Sequence, residues 1–381
     1  MARLGDLCIV KSGYAFKSEQ FSDEGIPVVR IGNITNNGLS LDDAVYFGEE
    51  FWEKNQNYRV NQNDILIAMS GATVGKCCLS ESKERLLLNQ RVAAITVSEG
   101  INIKYIYHII NSDYFANYVL ENSAGCAQPN ISAKQLMNFE IKDNARQFQD
   151  SIAKTLDKVD ELIALRREQL VKLDQLVKSR FIELFGDPVK NDMAWKTKPL
   201  NDVCDGIGDG LHGTPVYDDN GDYPFINGNN LIDGAITITP TTKMVSAETY
   251  AKHYIDISPN AILISINGTL GKLAFYNGEQ VMLGKSACYC NLKPSVNKVF
   301  VYGVMSSDAF AEFLDNSSTK STIKNVGLKA MREYKLILPP IELQGQFAAF
   351  VEQTEKSKLV IQQSLDKLET LKKSLMQEYF G

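Results

Sequence analysis

Residue types able to do covalent or metal chemistry are sparse in this chain and poorly spaced for it. His108, His212 and His253 stand far apart, without the short spacing by which imidazoles share a metal ion. Seven cysteines include no Cys-x-x-Cys pair; Cys77 and Cys78 are adjacent and Cys288 and Cys290 lie one residue apart. That pattern is neither a zinc ribbon nor a disulfide framework. Gly71-Ala-Thr-Val-Gly-Lys76-Cys77 invites a nucleotide-binding reading. Such a loop needs four residues between its glycines and a Ser or Thr after its lysine; three separate them here, and Cys77 follows. There is no nucleophile elbow, zinc-protease helix or dinucleotide fingerprint. An Asn/Asp-Pro-Pro-aromatic tetrapeptide of amino-methylating enzymes is also missing, the one proline pair being Leu338-Pro-Pro-Ile341. An enzyme site and a resident metal or cofactor are not expected in this chain.

What remains is a set of polar side chains in turn-like segments, of the types that read base edges and grip phosphates. In the first half these are Lys11, Ser12, Lys17 and Asn33, then Ser70, Thr73 and Lys76 of the glycine-rich turn. Asn89, Gln90 and Arg91, with Gln128 and Asn130, complete that half. In the second half they are His212, Thr214, Asn227, Asn229 and Asn230, followed by Asn267, Thr269 and Lys272. Lys285, Ser286, Lys324 and Asn325 close the set. A glycine-rich turn after an apolar strand leaves backbone N–H groups and a lysine for an anion such as a DNA phosphate. The same residue types are also ordinary for a surface loop.

The elements that position these residues are written twice. Leu4-Gly-Asp-Leu-Cys8 returns as Leu200-Asn-Asp-Val-Cys204, and Asn63-Asp-Ile-Leu-Ile67 as Asn260-Ala-Ile-Leu-Ile264. Ser112-Asp-Tyr-Phe-Ala116 returns as Ser307-Asp-Ala-Phe-Ala311, and Phe185-Gly186 as Phe380-Gly381. The offset stays between 195 and 197 along the chain. A period that long is a tandem duplication of whole domains, not a solenoid. Each half opens with short β-type runs (27–31, 64–69, 91–97) between Gly, Asn and Asp clusters, followed by a helical stretch at 105–120.

The texture then changes. Residues 147–185 contain no Gly or Pro, and apolar residues recur at Ile152, Leu156, Val159, Ile163, Leu170, Leu173, Val177 and Leu184. Arg166 and Arg180 interrupt this heptad alternation. The second half repeats it at Phe347, Val351, Ile361, Leu365, Leu368, Leu375 and Tyr379. A helix of that length spans about 58 Å, against roughly 30 Å for a globule of about 150 residues. Its natural partner is the other copy, and the duplicated order makes an antiparallel pair the expected closure. The boundaries expected are a globular domain at 1–146, a long helix at 147–187, a second globular domain at 188–341 and a second helix at 342–381. The fold class is mixed α/β (α+β): two tandem domains separated and joined by an antiparallel coiled coil, with pseudo-two-fold symmetry.

The chain has 381 residues, 44% hydrophobic and 23% charged, an ordinary globular composition. Forty Lys+Arg against 46 Asp+Glu leave a net charge of −6. Residues 1–146 carry 14 basic and 17 acidic side chains, and residues 188–343 carry 14 and 16. Non-specific affinity for DNA should therefore be weak. The acids cluster at Asp42-Asp43 with Glu49-Glu50 and at Asp218-Asp219 with Asp222, which leaves room for a basic face elsewhere. Reduced thiols and the lack of a signal peptide or an apolar membrane span point to a cytoplasmic protein.

Leu-x-Asp-Val/Leu-Cys at the head of each half, an Ile-Leu-Ile-x-x-x-Gly-x-x-x-Gly-Lys run, and a closing heptad helix ending in Phe-Gly together resemble the specificity subunit of Type I restriction-modification systems. Gly210-Leu-His-Gly-Thr-Pro215 is similar to a segment common in the target domains of that family. The resemblance covers essentially the whole chain. It implies that each domain reads one half of a bipartite double-stranded DNA target and that the helices set the spacer. It further implies two methyltransferase subunits carrying S-adenosylmethionine and two restriction (motor-nuclease) subunits using ATP and Mg, with no catalysis in this chain. Other readings of the same features are a two-headed protein-binding scaffold and an enzyme with a site around Lys76 or Lys272.

Overall fold

The computed structural model describes residues 1–35, 38–123, 129–142 and 144–381. They form two compact units, residues 1–168 with 362–381 and residues 169–361.

In the first unit the principal sheet is antiparallel, in the order Cys8–Ser12, Val92–Val97, Ile65–Ala68, Cys77–Leu79. Every residue of Ile65–Ala68 is buried, because the sheet is covered on both faces. The period of two sorts the strand: Ile65 and Ile67 join the core shared with the helices, while Leu66 and Ala68 join Val29, Leu86 and Leu88. A second sheet, ordered Val45–Phe47, Ile26–Val29, Leu86–Leu88, Arg59–Val60, contains a parallel pair at its centre.

The second unit repeats this plan. Its principal sheet runs Cys204–Asp209, Ala287–Leu292, Ala261–Ser265, Leu273–Phe275. Ile262 and Ile264 enter the helix-side core, and Ala261 and Leu263 the opposite one. The smaller sheet keeps the parallel pair, Tyr223–Ile226 with Met282–Leu283. The duplication read from the sequence is thus a duplication of topology.

The helical stretch expected at 105–120 is two helices, Ile103–Ile110 and Asp113–Ser123. The Ser112 hydroxyl donates to the Ile109 carbonyl at 2.6 Å and accepts from the Phe115 N–H at 3.2 Å, ending one helix and capping the next. Ser307 does the same between Lys298–Met305 and Asp308–Ser317.

Each half closes with a 40-residue helix, Arg146–Phe185 and Ile341–Phe380. Gly186, with φ +73°, takes the left-handed turn that ends the first. Within the first unit the two helices run antiparallel: Asp160 pairs with Lys372 at 2.6 Å, and Arg166 Nε donates to Ser364 Oγ at 3.2 Å. Within the second, Asp174 pairs with Lys358 at 2.5 Å, and Phe181 packs edge-on against Phe347 with centroids 5.4 Å apart.

Of the heptad positions, Leu156, Val159, Ile163, Phe347 and Leu365 are buried and the rest half-buried, as one-sided packing requires. The interruptions have partners: Arg166 bonds Ser364, and Arg180 pairs with Glu183 and lies over the Phe350 ring. The heptad reading missed Ala153, Phe181, Phe185, Met376 and Phe380, all buried; these lie where a helix meets a globular core and faces two partners.

Candidate nucleic-acid interface

The polar segments converge at one end of each principal sheet. In the first unit the Met69 N–H donates to the Arg91 carbonyl at 2.8 Å, the Ile131 N–H to the Met69 carbonyl at 2.8 Å, and the Gln90 N–H to the Tyr14 carbonyl at 2.9 Å. Three turns, following strands Cys8–Ser12, Ile65–Ala68 and Leu86–Leu88, are thereby stitched together with the 129–131 segment. In the second unit the Ile266 N–H reaches the Ser286 carbonyl at 3.0 Å, the Val326 N–H the Ile266 carbonyl at 2.9 Å, and the Lys285 N–H the Leu211 carbonyl at 3.0 Å.

One residue in each first turn has to be glycine. A Cβ on Gly13 would lie 2.1 Å from the Leu88 carbonyl oxygen, and one on Gly210 would lie 2.0 Å from that of Leu283. The turns can meet only because nothing projects between them.

The structure then sorts the candidates. Asn33, 4% exposed, accepts from the Arg30 N–H at 2.9 Å and donates to the Ser40 carbonyl at 3.0 Å. Asn230 makes the corresponding bonds with Asn227 and Thr237. Lys11 is turned inward onto buried Asp64, at 3.6 Å, and the Arg59 carbonyl. Asn89 is buried and accepts from the Arg91 N–H at 3.2 Å. These four, expected at DNA, are engaged within their own units, because a short amide or an inward lysine satisfies nearby backbone or a buried carboxylate.

Other candidates are partly engaged. The Ser286 hydroxyl donates to Asn227 Oδ1 at 3.0 Å, and Asn267 donates to Asn325 Oδ1 at 3.1 Å. Exposed His212 and Lys324 sit 2.8 and 2.7 Å from Asp209 and Asp315. The hydroxyls of Ser70 and Thr73 are enclosed and have no hydrogen-bond partner among the described residues.

Ser12, Lys17, Gln90, Arg91 and Asn130 are exposed in the first unit, and Thr214, Asn229, Thr269 and Lys285 in the second. Lys76 and Lys272 are half-buried at matching places after the glycine-rich turns. Gln128 lies outside the described residues. The Ser317-to-Ile323 run before Lys324 and Asn325, with exposed Lys320, Ser321, Thr322 and Ile323, was not among the candidates; its density of Ser, Thr and Lys was the available signal.

Among the described residues no group of three His, Cys, Asp or Glu could hold a metal ion, and no helix is long and apolar enough to cross a membrane.

The family model for the Type I restriction modification DNA specificity domain matches residues 1–175 and again residues 193–370. The chain belongs to this family. It is 21% identical over 375 residues to the EcoBI specificity subunit of Escherichia coli, covering 90% of this chain and 76% of that one. To the MjaVIII specificity subunit of Methanocaldococcus jannaschii it is 24% identical over 183 residues, 47% of this chain; the match spans 43% of that relative's length.

Two solved structures share the fold over nearly the whole chain. The Type I S subunit from M. genitalium superposes with a TM-score of 0.59 at 15% identity, covering 100% of this chain and 95% of that one. A chain from a study of complex assembly and conformational transition in the type I R-M system gives 0.61 at 17%, covering 99% and 96%. Specificity-domain topology thus accounts for both compact units.

Proposed function

We propose that this chain is the DNA-reading subunit of a Type I restriction-modification enzyme, each unit taking one half of a bipartite double-stranded target and the paired helices setting the spacer. The observation that carries this reading is the repetition of one backbone frame with different side chains upon it. Where the first unit has Gln90-Arg91, Ser70 and Asn130, the second has Lys285-Ser286, Asn267 and Asn325 at matching places, with Gln90, Arg91 and Asn130 exposed in the one and Lys285 in the other. Like frames with different donors and acceptors suit an asymmetric, split sequence.

The net charge of −6 fits a subunit that holds DNA firmly only inside an assembly. Two methyltransferase subunits and two restriction subunits would complete it. Those partners would bring S-adenosylmethionine, ATP and Mg, and this chain would choose the site without doing chemistry.

The test is an adenine-methylation map of cells with and without this chain, its methyltransferase held constant. A split motif that vanishes with the chain supports the reading. An unchanged map, with both proteins expressed, overturns it in favour of a protein-binding scaffold.

A further inference from the structure

The segment Ser317-Ser-Thr-Lys-Ser-Thr-Ile-Lys-Asn325 of the second unit is a closed loop fixed to the candidate surface. At its base the Thr319 N–H donates to the Asn325 carbonyl at 3.0 Å, and the Asn325 N–H to Thr319 Oγ1 at 3.2 Å. The tip is braced from within, the Ser321 hydroxyl donating to the Ile323 carbonyl at 2.6 Å and lying 2.9 Å from Thr319 Oγ1. Its far end is tied to the glycine-rich turn through the Gly268 N–H and the Lys324 carbonyl, 2.9 Å apart. Ile266, which holds the Lys285-Ser286 turn, also accepts from Val326.

This braced tip carries Ile323 with 64% of its surface in solvent. A lone exposed isoleucine has no meaning on an unbraced surface. Here it stands on a preorganised loop with exposed Lys320 and Thr322 beside it, while Lys324 on its other side is paired with Asp315 at 2.7 Å. A cation able to grip a phosphate beside one apolar group and a hydroxyl is chemistry that suits a thymine edge in the major groove, where the 5-methyl is the apolar feature. Residues 124–128, which align with it in the first half, read Ala-Gly-Cys-Ala-Gln, with neither lysine nor large apolar residue.

We propose that Ile323 is a specificity-determining residue of the second domain, packing against a thymine methyl group, with Lys320 holding an adjacent phosphate. This rests on the DNA-reading role proposed above.

The experiment uses the full chain assembled with its methyltransferase subunits and duplexes carrying the mapped target, each thymine of the second domain's half-site replaced in turn by deoxyuridine. At one position, loss of the methyl should weaken wild-type binding roughly fourfold, and the I323A complex should not distinguish thymine from uracil there. Lys320→Ala should weaken target and scrambled duplexes alike and lower the log–log salt slope by about one. A half-site without thymine, a thymine/uracil ratio unchanged by I323A, or an I323A effect that appears as lost DNA bending overturns the proposal. A wild-type assembly that binds target no better than scrambled duplex overturns the DNA-reading role itself.

Discussion

Asn33 and Asn230, 197 residues apart in sequence, perform one task in the two units. Each side chain accepts from the backbone N–H three residues before it and donates to the carbonyl seven residues after it. Each thus closes the loop that follows the parallel strand, Ile26–Val29 or Tyr223–Ile226. The relationship separates what the duplication preserves, a frame, from what it lets vary, the side chains that frame displays.

Replacing either asparagine by alanine removes two hydrogen bonds to part-buried backbone, at a cost of about 1 kcal/mol each. Asn33→Ala and Asn230→Ala should each lower the melting temperature while the methylation motif is unchanged. A variant of normal stability with an altered motif would return that asparagine to the DNA surface.

Much of this architecture was legible because the chain says it twice. A heptad run of 39 residues without Gly or Pro, its apolar alternation repeated in the second half, admits few structures, and Ile65-Leu-Ile reads as an apolar strand. The break at Ser112 was hidden because a serine inside an apolar periodic run looks like an exposed helix position, and only its bonds to Ile109 and Phe115 make it a stop. Asn33 and Asn229 were indistinguishable by type, since an asparagine bonds a base edge or its own loop equally well. Ile323 was passed over because its exposure follows from loop bracing, which no local pattern reveals.

His108 should make the first unit acid-sensitive. It is 2% exposed, its Nε2 lies 2.8 Å from Asp157, and its Nδ1 lies 4.0 Å from Asp160; Lys104 and Lys372 pair with those two carboxylates. Burial lowers its pKa below the ordinary 6.5, outweighing the pull of Asp157. The unfolded chain therefore binds a proton before the folded one. Stability is full above pH 6.5 and falls as pH drops through that value toward the lowered folded-state pKa. Between pH 8 and 5 the melting temperature should fall less in His108→Gln than in wild type. Parallel curves for the two proteins would remove His108 as the cause.

The thiols Cys8, Cys77 and Cys78 are pushed up to about 12 by burial, so almost none is thiolate at neutral pH. Peptide mapping after native alkylation at pH 8 should find these three unmodified, and labelled once denaturant is added. Rapid native labelling of Cys77 or Cys78 would mean that the sheet edge Cys77–Leu79 opens.

Gly13 and Gly210 give a test that addresses one unit at a time. A methyl group on either meets a backbone carbonyl that cannot move without dragging the strand that carries it, Leu86–Leu88 or Met282–Leu283. Overpacking of this kind costs about 1–3 kcal/mol and displaces the turns that frame the candidate surface. Gly13→Ala should degrade recognition of one half-site, through Gln90 and Arg91, and leave the other intact. Gly210→Ala should do the reverse, through Lys285 and Ser286. Because the helix pairings Asp160–Lys372 and Asp174–Lys358 are untouched by either change, the spacer between half-sites should stay constant in both variants. A methylation map in which Gly13→Ala blurred both half-sites equally would refute the assignment of one half-site to each unit.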